Sequence, residues 1–197
     1  MSRRATVTRM TAETQVTVEV ALDGRGHHDI ETPVPFLTHM LTQVARHGGF
    51  DLRVEAKGDT WIDDHHTVED VGLCLGGAIL KALGDRKGLE RFGSMRAPLD
   101  EALLEATIDL SGRPYLVFDI ALPKAKVGTF DVELTKEFFQ AFAVEARCNL
   151  HLRAISGQNL HHLIEATFKA FTLALRNATR ITRPVDVLPS TKEHLDG

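Results

Sequence analysis

The 197-residue sequence has two cysteines, one tryptophan, one tyrosine and no excess of positive charge. Each scarcity excludes something. Cys74 and Cys148 both sit in apolar surroundings, so the expectation is two buried free thiols in a reducing cytosol rather than a disulfide. The expected location is therefore the cytoplasm. No apolar run approaches the roughly 20 residues that span a bilayer. Met1-Ser2-Arg3-Arg4 is not followed by the apolar core of a secretory signal. With 23 Lys and Arg against 27 Asp and Glu, the net charge of -4 argues against a general binder of nucleic acid or of a membrane surface. What remains is ordinary. A hydrophobic content of 43% and a charged content of 25% suit a globular chain, long enough to bury a substantial core.

Periodicity divides the chain into two similar halves. In the first, Ala5–Met10 and Thr14–Leu22 read as strands; Val16, Val18 and Val20 alternate with polar residues. A helix is expected from about Phe36 to Gly48, a strand over Asp51–Ala56 and a longer helix over His65–Leu83, with Asp63 or Asp64 as N-cap. In the second, Leu103–Leu110 and Tyr115–Ala121 read as strands. Thr135–Arg147 then reads as a helix, Cys148–Ile155 as a strand and Gln158–Arg180 as a long helix. The expected fold is α+β, a duplicated strand-strand-helix-strand-helix unit with helices on one face of each sheet. Residues 1–95 form the first repeat and 96–197 the second, around one shared core. The segment from Thr182 to Gly197, with Pro184 and Pro189, reads as a docking or active-site arm.

The histidines carry the chemistry. His65-His66-Thr67-Val68-Glu69 opens the last helix of the first half, and His161-His162-Leu163-Ile164-Glu165 opens that of the second. Residues four apart share a helical face, so His65 with Glu69, and His161 with Glu165, can each reach one ion. The adjacent His66 and His162 are turned about 100° away and are free for a second ion. Imidazole with carboxylate, and no thiolate nearby, suits manganese, iron or zinc. Spacing alone proves little: His27-His28-Asp29-Ile30-Glu31 has the same pattern, yet it lies between Gly26 and Thr32-Pro33 and reads as loop. His39, Gln43 and His47 share a face of the short helix, and His151 alternates with Leu150 and Leu152 on a strand. Any one of these could be a plain core or surface histidine. Arg91, Arg113, Ser190 and Lys192 stand in loops or the tail, and Lys169 lies one turn beyond Glu165. Such groups suit phosphate as a set, though each alone reads first as ordinary surface charge.

Nearly end to end, the sequence resembles the imidazoleglycerol-phosphate dehydratase family, manganese enzymes of histidine biosynthesis. The resemblance rests on Thr11-Ala12-Glu13-Thr14, Phe36-Leu37-Thr38-His39-Met40, Gly58-Asp59, Asp63 to Asp70 and Arg91-Phe92-Gly93. It continues through Pro98 to Leu103, Ser111-Gly112-Arg113-Pro114, Asn159 to Glu165, Phe168-Lys169-Ala170 and Pro189-Ser190-Thr191-Lys192. Two positions depart from the family pattern: Thr38 stands where Asp is usual, and Glu193 where Gly follows the tail lysine.

The resemblance implies a fold like the second domain of ribosomal protein S5, and trimers assembled into a 24-subunit shell with sites at subunit interfaces. It implies two Mn2+ per active site and a small phosphate substrate, with no nucleic acid or membrane partner. The implied reaction dehydrates imidazole glycerol phosphate to imidazole acetol phosphate through a di-manganese-bound imidazolate. Glu13 would be the acid/base. Gln43, Arg91, Arg113, Lys169, Ser190 and Lys192 would hold the phosphate. One ion would take His65, Glu69, His151 and His162, and the other His39, His66, His161 and Glu165. The competing classes are a metalloprotein whose sites only assemble a shell, and a nucleic-acid module suggested by fold alone.

Overall fold

The structure is a computed structural model that describes residues 3–195; Met1, Ser2, Asp196 and Gly197 lie outside the described residues, and with them part of the expectations for the N-terminal stretch and for the tail. The first unit runs β1 (Arg4–Met10), β2 (Thr14–Ala21), β3 (His28–Glu31), α1 (Pro35–Gly48), β4 (Asp51–Gly58) and α2 (His65–Leu83). The second runs β5 (Phe92–Leu99), β6 (Ala102–Asp109), β7 (Tyr115–Asp119), a ribbon of β8 (Lys126–Val127) and β9 (Phe130–Asp131), α3 (Leu134–Glu145), β10 (Asn149–Ser156) and α4 (Leu160–Ala178). The two main sheets have matching orders, β1-β2-β4-β3 and β5-β6-β10-β7. In each, the strand before the first helix pairs parallel with the strand after it, and the other pairings are antiparallel.

The duplicated α+β architecture is therefore present, with one strand more in each main sheet than periodicity suggests and the β8–β9 ribbon besides. The strand that sequence misses differs between the halves. In the first it is β3, four polar-rich residues on a sheet edge with no alternation to read. His28 thus belongs to a strand rather than a loop, and no helical face forms there. In the second it is β5, where Gly93 and Pro98 are breakers in isolation yet an edge strand tolerates them.

Alternation decides which face of each sheet is covered. Val16, Val18 and Val20 are buried against α2, while Gln15, Thr17 and Glu19 take the other face. The long helices cover their own sheets, and the short helices cross over: α1 packs on α4, and α3 on α2. A Cβ at Gly72 or Gly76 of α2 would stand 2.7 Å from the Phe138 carbonyl oxygen or 2.6 Å from that of Phe142, so bare backbone is what lets α3 lie so close. Between α3 and α4, the rings of Phe138, Phe139, Phe142, Phe168 and Phe171 stack edge-on or tilted, with neighbouring centroids 4.8–5.2 Å apart. Burying each such ring contributes about 1.5–3 kcal/mol. Buried residues of both halves join in one core. Cys74 and Cys148 are buried free thiols, and burial pushes them up to about 11 and about 12.

Candidate active site

Both His-His-x-x-Glu sequences begin helices, and local chemistry starts them. At α4, the Asn159 side chain accepts from the backbone N–H groups of His161 (3.0 Å) and His162 (3.3 Å). At α2, Asp64 takes the N-cap position without a side-chain cap bond, and Asp63 accepts from the His65 N–H at 2.8 Å.

At the head of α4 three side chains converge. Glu165 Oε2 lies 3.1 Å from His39 Nε2, delivered by α1, and 3.0 Å from His161 Nε2. Their ligand atoms all fall within 4.8 Å of one another, the one such triad found among the described residues. Lys169 Nζ reaches the other carboxylate oxygen at 2.7 Å. Burial opposes the charge on Glu165, but hydrogen bonds from Lys169, His39 and His161 outweigh it and hold the carboxyl down at about 2. The Phe36 ring meets His161 edge-on, 5.2 Å between centroids. Gln43 and His47 pair on the same helix as His39 (2.9 Å), and burial together with the Lys169 charge pushes the His47 imidazole down.

At the head of α2 the arrangement is more open. His65 Nε2 and Glu69 Oε2 are 4.0 Å apart. His66 Nδ1 faces the buried carboxylate of Asp59 (3.1 and 3.2 Å), whose hydrogen bond raises its pKa, with Glu13 Oε2 at 3.9 Å. His162 is held in a similar way: Nδ1 lies 2.7 Å from Glu101 Oε2. Glu101 is held down at about 2 by His162 and by the backbone N–H groups of Asn159 and Gln158. With Nδ1 donating to a carboxylate, Nε2 of each ring keeps its lone pair for a ligand. Sequence reasoning does not single out Asp59 or Glu101 as partners of these rings. Only their places in the resemblance stretches mark them, since they lie 7 and 61 positions from the histidines they orient.

His151 is apart from both heads. It lies on β10 between Thr107 and Val117, on the outer face of the second sheet, exposed where Leu150 and Leu152 are buried. His66 likewise stands outside the triad of His39, His161 and Glu165.

The anion-binding candidates fall into two groups. Arg91, Arg113, Ser190 and Lys192, with Ser111 and Thr191, line a cavity of about 360 Å³ where the tail folds back onto the second sheet. Arg91 is anchored there: Nε and Nη2 donate to Asp109 (2.7 and 3.1 Å), and Nη1 donates to the Pro189 carbonyl (2.7 Å). Gln43 and Lys169 belong to the α4 head instead. The two departures also find their places. The Thr38 hydroxyl pairs with Thr32 (2.9 Å), with no hydrogen bond to His39. Glu193 is exposed, does not line the cavity and has φ 59, a conformation glycine adopts without strain.

Fold and site define a duplicated α+β protein with histidine–carboxylate clusters at the heads of its long helices and a cationic cavity under its tail. No helix among the described residues is long and apolar enough to cross a membrane. The imidazoleglycerol-phosphate dehydratase family model matches residues 32–175. The sequence is 56% identical, over 98% of both chains, to the imidazoleglycerol-phosphate dehydratase of Geobacillus thermodenitrificans. The structure is similar to that of the Staphylococcus aureus enzyme (TM-score 0.81, 42% identity, 92% of this chain and 99% of that one). It is also similar to the Pyrococcus furiosus enzyme in complex with (S)-C348 (TM-score 0.82, 36% identity, 96% and 100%). The chain belongs to the imidazoleglycerol-phosphate dehydratase family and is a hydro-lyase.

Proposed function

We propose that the chain dehydrates imidazole glycerol phosphate to imidazole acetol phosphate in cytoplasmic histidine biosynthesis, with two manganese ions per active site. The observation that carries the metal reading is the convergence of two imidazoles and a carboxylate from two helices on one point, held by Lys169. Nitrogen and oxygen donors without an accessible thiolate fit a divalent ion of the manganese class.

His39, His66, His161 and Glu165 would hold one ion, and His65, Glu69, His151 and His162 the other. Such ions, when bound, supply Lewis-acid polarisation of the substrate's imidazole ring. Asp59 and Glu101 keep His66 and His162 in the ligand tautomer. Glu13, an exposed carboxylate beside His66, moves the proton on the substrate's carbon chain. Arg91, Arg113, Ser190, Lys192, Gln43 and Lys169 bind the terminal phosphate, and that remote binding energy positions the ring. His66 and His151 are separate from the α4 triad within one chain. Each site therefore draws on neighbouring copies, in trimers that build a 24-subunit shell.

The test is turnover of imidazole glycerol phosphate by metal-stripped protein before and after manganese is added back. Turnover restored by manganese, and reduced to a small residue in Glu13→Gln with metal content and assembly intact, supports the reading. Assembly on manganese without turnover would assign the sites to structure alone.

A further inference from the structure

Glu13 sits at the tip of the β1–β2 hairpin, exposed, with His66 Nδ1 3.9 Å from its carboxylate. A proton-moving group so placed depends on the tip that carries it. Beneath the tip lies a polar cluster, buried at Thr14 and Asp70 and exposed at Arg9, that the proposed chemistry does not use. Asp70, one turn beyond His66 on α2, accepts from the Thr14 hydroxyl on one oxygen and from Arg9 Nε on the other (2.7 Å). Thr14 is bonded in turn to the tip. Thr11 Oγ1 lies 3.2 Å from Thr14 Oγ1 and accepts from the N–H groups of Glu13 (3.1 Å) and Thr14 (2.9 Å). The Glu13 carbonyl accepts from the Asp59 N–H at 3.1 Å, and Asp59 holds His66. The chain of contacts closes on itself: helix, buried carboxylate, hairpin tip, loop, histidine, helix.

The second repeat shows that the fold does not need this cluster. Strands β2 and β6 are both eight residues long and open on Thr14 and Ala102. Arg9 faces Val16 across its hairpin, as Ala97 faces Leu104 across the other. Asp70 follows Glu69 as Ala166 follows Glu165. Where the first half has Arg9, Thr14 and Asp70, the second has three buried alanines in the same architecture. A buried carboxylate and hydroxyl are justified only when fully bonded, and apolar replacements of both partners are often neutral for stability. Their presence in one half alone points to a task that the other half lacks. That half's hairpin tip carries Glu101, which bonds His162 directly and needs no such support.

We propose that Asp70 and Thr14, with Arg9 as counter-ion, are positioning residues that hold the Glu13 hairpin tip in register with His66. The proposal rests on the proton-moving role of Glu13. The test uses the full-length, assembled, manganese-loaded protein with imidazole glycerol phosphate, and the variant Thr14→Ala/Asp70→Ala, which reproduces the second repeat at the two buried positions and leaves Arg9 at the surface. It is expected to assemble and to bind metal as before. Its kcat falls about 100-fold, as for a reacting group displaced by about 1 Å, and its KM changes by less than about twofold. Amide hydrogen exchange over residues 11–14 quickens. Thr14→Ser, which keeps the hydroxyl, restores most of the turnover. In a Glu13→Gln background the double change lowers the residual turnover no further, because both act through one group.

An unchanged kcat, or an additional loss in the Glu13→Gln background, overturns the proposal. Should the double variant fail to assemble, Thr14→Val is compared with Thr14→Ser, and equal kcat values overturn it. Full turnover by Glu13→Gln itself sinks the underlying assignment. An inactive Glu13→Gln beside a fully active double variant sinks only the positioning role.

Discussion

At the head of α4, one carboxylate oxygen is shared by histidines from two helices, and a lysine grips the other oxygen. At the head of α2 the same five-residue pattern leaves His65 and Glu69 4.0 Å apart, with no histidine from a second helix. The difference comes from the crossed packing of the short helices. α1 brings His39 to α4. In α3, which lies on α2, the corresponding position, counted back from the left-handed Gly49 and Arg147 that end the two helices, is Glu137. Duplication copied the scaffold and the ligand pattern, but only one copy kept a histidine on the helix that faces it. On the proposed metal reading, the α2 head would complete its ligand set with donors from elsewhere, and His151 on an outer sheet face would be available for that.

Three predictions break or sharpen this comparison, in descending order of effect. Glu165→Gln removes the shared acceptor of the α4 head, and manganese affinity is expected to fall more than about 100-fold by equilibrium dialysis, beyond what an outer-shell change costs. Glu69→Gln is expected to cost as much in the assembled protein, despite its looser geometry in one chain. A wild-type metal content in Glu69→Gln would show that the two heads are not equivalent ligand sets. Next, Asp59→Asn and Glu101→Gln each leave a ligand histidine without its orienting carboxylate. Both should weaken manganese binding about 10–100-fold. A loss in one and not the other would confine the outer carboxylate to a single repeat. The smallest effect concerns helix starts. Asn159→Ala should cost about 1 kcal/mol in denaturant unfolding of metal-free protein, since its side chain caps two N–H groups. Asp64→Ala, whose side chain caps none, should stay within about 0.5 kcal/mol.

The helices were largely readable in the sequence, because their apolar positions recur over many turns and their ends carry plain signals. His65–Leu83 is found as expected, and α1 starts at Pro35 and stops at Gly48 before a left-handed Gly49. Edge strands were harder. β3 offers four residues, and β5 holds Gly93 and Pro98, so nothing local distinguishes either from loop. Within the site, the His-His-x-x-Glu pairs and His39 lie on helices whose periodicity is strong. The groups that orient them are contributed by turns, Asp59 between β4 and α2 and Glu101 between β5 and β6, where no period exists. The cluster of exposed Arg9 with buried Thr14 and Asp70 spans 61 positions in one contact. It becomes visible only when β1 and α2 are seen side by side.

The crossed helices also bear on how the protein is made. Translation at about 5–20 residues per second delivers the second half about 5–20 s after the first. During that interval α1 lacks α4 and α2 lacks α3, so apolar faces that end in the shared core remain open on a nascent chain. The bare backbone at Gly72 and Gly76, ready for a helix not yet synthesised, makes the first half a template that stays exposed until the ribosome completes its cover.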